Sequence, residues 1–364
     1  MAGKLLMHQG GYTVFRRLAV TAGIIGAFAT PAAAQVRING AGATFPNIIY
    51  QNWILTYNQR FDNVELNYQS IGSGGGIRQF SDKTVDFGGT DAPMTDSAIA
   101  AIQGDVIHIP TVLGAVVPTY NLPGFTGAVR FTPDILADIF LGKLTKWNDA
   151  RIAAANPGVT LPNTDILVVH RSDGSGTSFI FTDYLSKVSP DWLQKVGKGT
   201  SVNWPVGLGG RGNEGVASTV RQTPGAIGYV ELGYALINKM PAAQVQNKAG
   251  KFVAPTIESV TASAQAAMSA MAPTTDFRVS ITNPDGDDVY PISSFTWLLL
   301  RKSYPDPAKA RELVKFIWWS LTEGQSQASR LGYAPLPLAL RPWIEARLRT
   351  ISAGGRPVWT SAAR

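Results

Sequence analysis

The chain has 364 residues, 45% hydrophobic and 16% charged, which is long enough for two ordinary domains and too apolar for a disordered chain. It contains no cysteine, which excludes disulfides, thiolate metal sites and a lipid-bearing cysteine at a processed N-terminus. The net charge is +7; Lys4, Arg16 and Arg17 fall in a leader without acids, so the mature chain carries +4 and shows no Lys/Arg cluster of the kind that binds nucleic acid.

The leader comes first. Arg16 and Arg17 precede an apolar run from Leu18 to Phe28, and Thr30-Pro31-Ala32-Ala33-Ala34 follows. This order of charged, apolar and small residues predicts a cleavable signal peptide over residues 1–34 and an exported, periplasmic chain starting at Gln35. The apolar run is short for a membrane span.

From there, strand and helix patterns alternate. Pro46 suits a first helical position, and Ile49, Tyr50, Trp53, Ile54 and Tyr57 line one helical face. Val64 to Ser70 alternates like a strand, and Ile107 to Val117 reads as a buried strand. Thr132-Pro133 opens a helix with Leu136, Ile139 and Phe140 inward and Gly142 near its end. Asp165 to Arg171, Ala226 to Val230 and Phe295 to Arg301 predict further strands. A last amphipathic helix runs from about Ala308 to Glu323, with Leu313, Phe316, Ile317 and Leu321 inward. The alternation predicts an α/β fold.

Glycine and hydroxyl residues gather at strand-to-helix junctions: Gly40 to Pro46, Ser70 to Gly76, and Arg171 to Ser178. In an open α/β sheet such junctions meet at the carboxyl ends of strands. Each starts a helix with free N–H groups, a positive dipole end and hydroxyl donors. One such loop is commonplace capping, but these together imply a small oxyanion held by several helix N-termini. Arg171 adds a guanidinium suited to bidentate contact with oxyanion oxygens, and Asp173 is spaced to orient it. Asp91, in Gly88-Gly89-Thr90-Asp91-Ala92-Pro93, repels an anion unless that anion carries a proton. Phosphate does near neutral pH and sulfate does not, so this carboxylate selects between them.

Other chemistries find little support. Gly207-Leu208-Gly209-Gly210-Arg211-Gly212 matches a dinucleotide fingerprint, with Glu231 at a ribose-contact distance. The preceding Asn203-Trp204-Pro205-Val206 is a poor first strand, however, so the segment reads as a tight loop with Asn213 capping the next helix. The mature chain's histidines read as a core residue (His108) and an outward strand residue (His170), with a place at the border of a cleft as the other reading of His170. Ser175 lacks a recognisable base, and Asp285-Gly286-Asp287-Asp288 reads as a solvated turn. No metal site, cofactor or catalytic residue is expected.

The Gly40–Pro46 segment, the Gly72-Ser73 loop, Asp86-Phe87-Gly88 with Asp91-Ala92-Pro93, Arg171 to Ser178 and Gly225 to Glu231 occur in the order that resembles the periplasmic phosphate-binding proteins of the phosphate-specific ABC importer. The resemblance implies a periplasmic-binding-protein-like fold, with two α/β lobes joined by a hinge and the ligand in the cleft. Lobe 1 would be 35–114 with 294–364, and lobe 2 would be 115–293, with crossings near Leu113–Val117 and Pro291–Phe295. By matching position, Thr44, Phe45 and Ser73 would donate to phosphate and Asp91 would accept its proton. Arg171, positioned by Asp173, would supply positive charge, and Ser175, Gly176 and Thr177 would donate from a helix start. The implied partners are inorganic phosphate and an importer of two permeases and two ATPases, met by a receptor that is a soluble monomer when free. The segment Lys239 to Thr275 and the basic tail after Arg347 match the family loosely. Receptors for other oxyanions, such as sulfate, molybdate or a phosphonate, and a secreted phosphatase on the same scaffold remain the alternatives.

Overall fold

The computed structural model describes residues 35–271 and 273–359; the leader lies outside the described residues. Its centre is an eight-stranded mixed sheet. The strands are β1 (Val36–Gly42), β2 (Val64–Ser70), β3 (Phe87–Thr90), β4 (Ile107–Tyr120), β5 (Leu167–Arg171), β6 (Leu208–Gly210), β7 (Ala226–Glu231) and β8 (Ser293–Leu300). They lie in the order β2-β1-β3-β8-β4-β7-β5-β6. The helices used below are α1 (Asn47–Arg60), α2 (Ser73–Ser81), α3 (Asp96–Ala101), α4 (Pro133–Phe140), α5 (Gly176–Val188), α6 (Gly212–Gln222), α7 (Ile257–Ala266) and α8 (Pro307–Leu321).

The long strand β4 organises the molecule. Its first part pairs antiparallel with β8, ending at Ala115 opposite Ser293. Its second part pairs antiparallel with β7, starting at Val116 opposite Glu231. One continuous strand therefore passes from the β1/β2/β3/β8 half to the β5/β6/β7 half, and the protein has two α/β lobes joined through it. All fourteen residues of β4 are buried, which explains an almost unbroken apolar run rather than an alternating one. Pro110 is tolerated in this central strand at an irregularity, where the register with β8 shifts beside Thr296 and Trp297.

The helices cover the sheet as their apolar faces require. In α1 the buried side chains are Ile49, Tyr50, Trp53, Ile54 and Tyr57, the face predicted from spacing; Pro46 caps the helix instead of starting it. Helix α4 starts at Pro133 and buries Leu136, Ile139 and Phe140. Helix α8 is capped by Asp306, whose carboxylate accepts from the Ala308 and Lys309 N–H groups, and it buries Leu313, Phe316, Ile317 and Leu321. Within the loosely matching Lys239–Thr275 stretch, α7 is capped reciprocally by Thr256 and Ser259.

Candidate anion-binding site

The parallel pairings β1–β2, β1–β3 and β5–β7 align the carboxyl ends of their strands. The three glycine-rich junctions therefore converge between the lobes. Backbone meets backbone there: the Gly74 N–H of α2 donates to the Gly174 carbonyl before α5 at 2.9 Å. Gly72 has φ +87°, and a Cβ there would lie 2.4 Å from Asp173 Oδ2. Gly176 leads α5 directly onto the other lobe. A Cβ on it would lie 2.4 Å from both Asp91 Oδ2 and Ser73 Oγ, so only glycine permits the approach.

Asp91 follows β3 and is 1% exposed. Its Oδ1 accepts from Thr296 Oγ1 at 2.7 Å and its Oδ2 from Ser73 Oγ at 3.3 Å. Ser73 Oγ in turn accepts the Asp91 N–H at 3.0 Å. Burial pushes the Asp91 carboxyl up to about 7; the Thr296 hydroxyl, the Arg171 charge and the Ser73 hydroxyl pull the other way without offsetting it.

Arg171 ends β5, with its side chain 1% exposed. Asp173 grips it in a fork: Nε donates to Oδ1 at 2.7 Å and Nη2 to Oδ2 at 2.6 Å. Nη1 reaches Thr177 Oγ1 at 3.4 Å. Asp173 Oδ1 also accepts the Gly212 N–H that opens α6. Its partial burial favours the neutral acid, but the Arg171 bonds outweigh this and hold the carboxyl below the usual range. The two acids are thus opposites: Asp173 is an ionised partner of a cation, while Asp91 is a buried acceptor set among hydroxyls.

The remaining predicted residues lie in the same place. Ser175 is the N-cap of α5, and its Oγ accepts from the Ser178 N–H at 3.0 Å. Gly176 and Thr177 are the first helical residues, whose N–H groups have no acceptor within the helix. Thr44 and Phe45 sit at the entry to α1 with their carbonyls occupied, by Tyr234 OH and Tyr333 OH respectively, each at 2.7 Å. The arrangement converges a guanidinium, backbone donors and hydroxyls on the buried Asp91, which suits a tetrahedral oxyanion carrying a proton.

Sequence reasoning missed several supports. Asn213 is not a helix cap: Arg211 occupies that position, and Asn213 lies in the first turn of α6. Its side chain bridges the lobes, with Nδ2 donating to Thr44 Oγ1 at 2.7 Å and Thr177 Oγ1 at 3.1 Å, and Oδ1 accepting the Glu231 N–H at 3.0 Å. Thr296 was hidden in an apolar strand. Tyr229 OH accepts the Arg171 N–H at 3.1 Å and shares a 2.6 Å bond with Ser178 Oγ. The Leu208–Gly210 part of the fingerprint-like segment is the edge strand β6. Glu231 is interior: it caps the helix Leu232–Ile237, and burial holds its carboxyl well above the usual range. His108 is buried between the Met94 N–H and Asp276, and His170 stacks on Trp204 at 4.9 Å. Among the described residues, no group of three or more acids and histidines is arranged to hold a metal.

Residues 29–323 match the PBP superfamily domain. The phosphate-binding protein PstS of Xylella fastidiosa strain 9a5c is 50% identical over 322 residues, 87% of each chain. That of Pasteurella multocida is 44% identical over 347 residues, 94% of this chain and 99% of the relative. Among solved structures, the high-affinity periplasmic phosphate-binding protein PfluDING, bound with phosphate, superposes with a TM-score of 0.68 at 21% identity, covering 86% of this chain and 93% of the other. The chain belongs to the PBP superfamily, in the family of phosphate-binding proteins of the phosphate-specific ABC importer.

Proposed function

We propose that the mature chain captures inorganic phosphate in the periplasm and delivers it to an ABC importer of two permeases and two ATPases, acting as a monomeric receptor without catalysis. The observation that carries this reading is the environment of Asp91: a buried carboxyl, in no ion pair among the described residues, facing the start of α5 from across the cleft. A site for a fully ionised oxyanion gains nothing from such a group. A site for protonated phosphate gains an acceptor whose proton affinity is close to that of the ligand's second ionisation.

In this reading Thr44, Phe45 and Ser73 donate from one lobe, and Ser175, Gly176 and Thr177 from the other. Arg171 meets the anion's charge, held in place by Asp173, and Asp91 accepts the phosphate proton. The switch of β4 between partners at Ala115 and Val116 supports a lobe of 35–114 with 294–364 and a lobe of 115–293. Charge-assisted hydrogen bonds at roughly 1.5–3 kcal/mol each mean that about a dozen would suffice for micromolar binding after the costs of association.

The test is isothermal titration of phosphate-stripped protein over residues 35–364, with a phosphomonoester hydrolysis assay run alongside, with and without divalent metal. One-to-one phosphate binding with no turnover is the expected result. Turnover would move the protein to the phosphatase class, and absence of phosphate binding would move the search to other oxyanions.

A further inference from the structure

Residues 276–282 belong to neither the anion site nor a regular element, yet they are fastened at both ends. At one end Asp276 Oδ2 accepts from His108 Nδ1 at 2.7 Å; His108 Nε2 accepts the Met94 N–H, which leaves the ring proton on Nδ1. The Phe277 carbonyl accepts from Trp297 Nε1 at 3.0 Å, and Arg278 Nη1 donates to the Met94 carbonyl at 3.0 Å and to Asp96 Oδ1 at 2.8 Å. All these partners lie in the half built on β3, β8 and the start of β4. At the other end Ser280 Oγ and Thr282 Oγ1 each donate to Asp183 Oδ2 at 2.6 Å, and Lys187 Nζ donates to both hydroxyls. Asp183 and Lys187 belong to α5, in the other half. Asp276 and Phe277 adopt φ of +52° and +57°, a conformation unfavourable to both that the surrounding contacts maintain.

We propose that this segment is a strap that holds the closed lobes together and that Asp276 and Arg278, outside the site, set how fast bound phosphate leaves. The inference rests on the phosphate-receptor reading above. The strap has little slack. From the Phe277 carbonyl to Ser280 is three residues, at most about 10 Å of extended chain. Both ends grip elements that carry the site: Met94 and Asp96 follow Asp91 in the chain, and α5 begins at Gly176. When the lobes separate around the β4 crossing, one end has to let go. The Arg278–Asp96 contact alone is weak, because Asp96 is 89% exposed. The buried partners, His108 and Trp297, give that end its strength.

The experiment is stopped-flow tryptophan fluorescence on full mature protein, reading phosphate association and release. One variant removes the side-chain grip of the first end (Asp276→Ala with Arg278→Gln), another that of the second (Ser280→Ala with Thr282→Val), and a third removes both. Each single-end variant should release phosphate on the order of five- to tenfold faster, with association unchanged within twofold. The combined variant should be no faster than either, because a strap cut once is already cut. Release unchanged in either single-end variant, effects that multiply, or a change carried by association would overturn the proposal. Melting of the stripped variants checks that they fold; should the double substitution at the first end not fold, Arg278→Lys takes its place, with a smaller acceleration expected and an unchanged release rate counting against the strap. If wild type binds no phosphate, the receptor reading fails separately. Small-angle scattering then decides the strap: either cut should raise the open population of the stripped protein, and identical scattering would overturn it.

Discussion

The two sides of the cleft solve opposite electrostatic problems. On the α5 side, Arg171 is neutralised before any ligand arrives: Asp173 takes two of its donors, and the pair leaves little net charge. On the β3 side, Asp91 forms no ion pair among the described residues; it accepts from the hydroxyls of Ser73 and Thr296 and feels the Arg171 charge only from a distance. One side is a preorganised donor array whose strength lies in fixed geometry and helix-end dipoles. The other is a carboxyl kept out of water, with its proton affinity raised by burial. On the proposed reading an anion site need not be strongly positive, since oriented dipoles would hold the ligand while a buried acid would read its protonation state.

Substitutions can break this contrast in a graded way. The largest effect is expected at Arg171. Arg171→Gln leaves Asp173 without its buried partner and should weaken phosphate binding roughly a thousandfold, measured by calorimetry. Asp91→Asn comes next, with phosphate affinity falling on the order of ten- to a hundredfold and excess sulfate beginning to compete. Unchanged selectivity in that variant would remove the role assigned to Asp91. Asn213→Ala takes away the bridge between Thr44 and Thr177 and should cost about five- to tenfold in affinity.

A separate effect concerns stability rather than binding. Asp91 holds its proton up to about pH 7 when folded, against an ordinary value of 3.8. The folded protein thus binds more protons than the unfolded one between those values, so this residue lowers stability as pH rises through that window. Asp91→Asn should match wild type below pH 4 and be more stable above pH 7, by up to about 4 kcal/mol for the stripped protein in denaturant titrations. A difference independent of pH would contradict the buried, unpaired environment described for Asp91.

Much of this was legible in the sequence because it depends on local signals. Strand β2 follows from alternation alone, and the inward face of α1 from helical spacing. The junctions at Ser73 and Ser175 stand out because glycine and hydroxyl residues cluster where strands give way to helices. Asp173 sits two residues from Arg171, so their pairing is a short-range inference. What stayed hidden depends on contacts between distant segments. Thr296 reaches Asp91 only because β8 lies beside β3, and nothing in Ser293 to Leu300 marks that threonine. Asn213 looked like a cap because it precedes a helical pattern; its bridging role exists only once both lobes meet. The strap at 276–282 carries no motif, and its partners His108 and Asp183 lie far away in the chain.

The most direct test of the central claim is a competition titration: wild type and Asp91→Asn, both stripped of phosphate, titrated with phosphate at about pH 8.5, where Asp91 is ionised and phosphate still carries one proton, with and without a large excess of sulfate. The account predicts that sulfate leaves the wild-type isotherm unchanged and weakens apparent phosphate binding in the variant. Sulfate competing equally in both proteins, or in neither, would show that Asp91 does not read the ligand's proton.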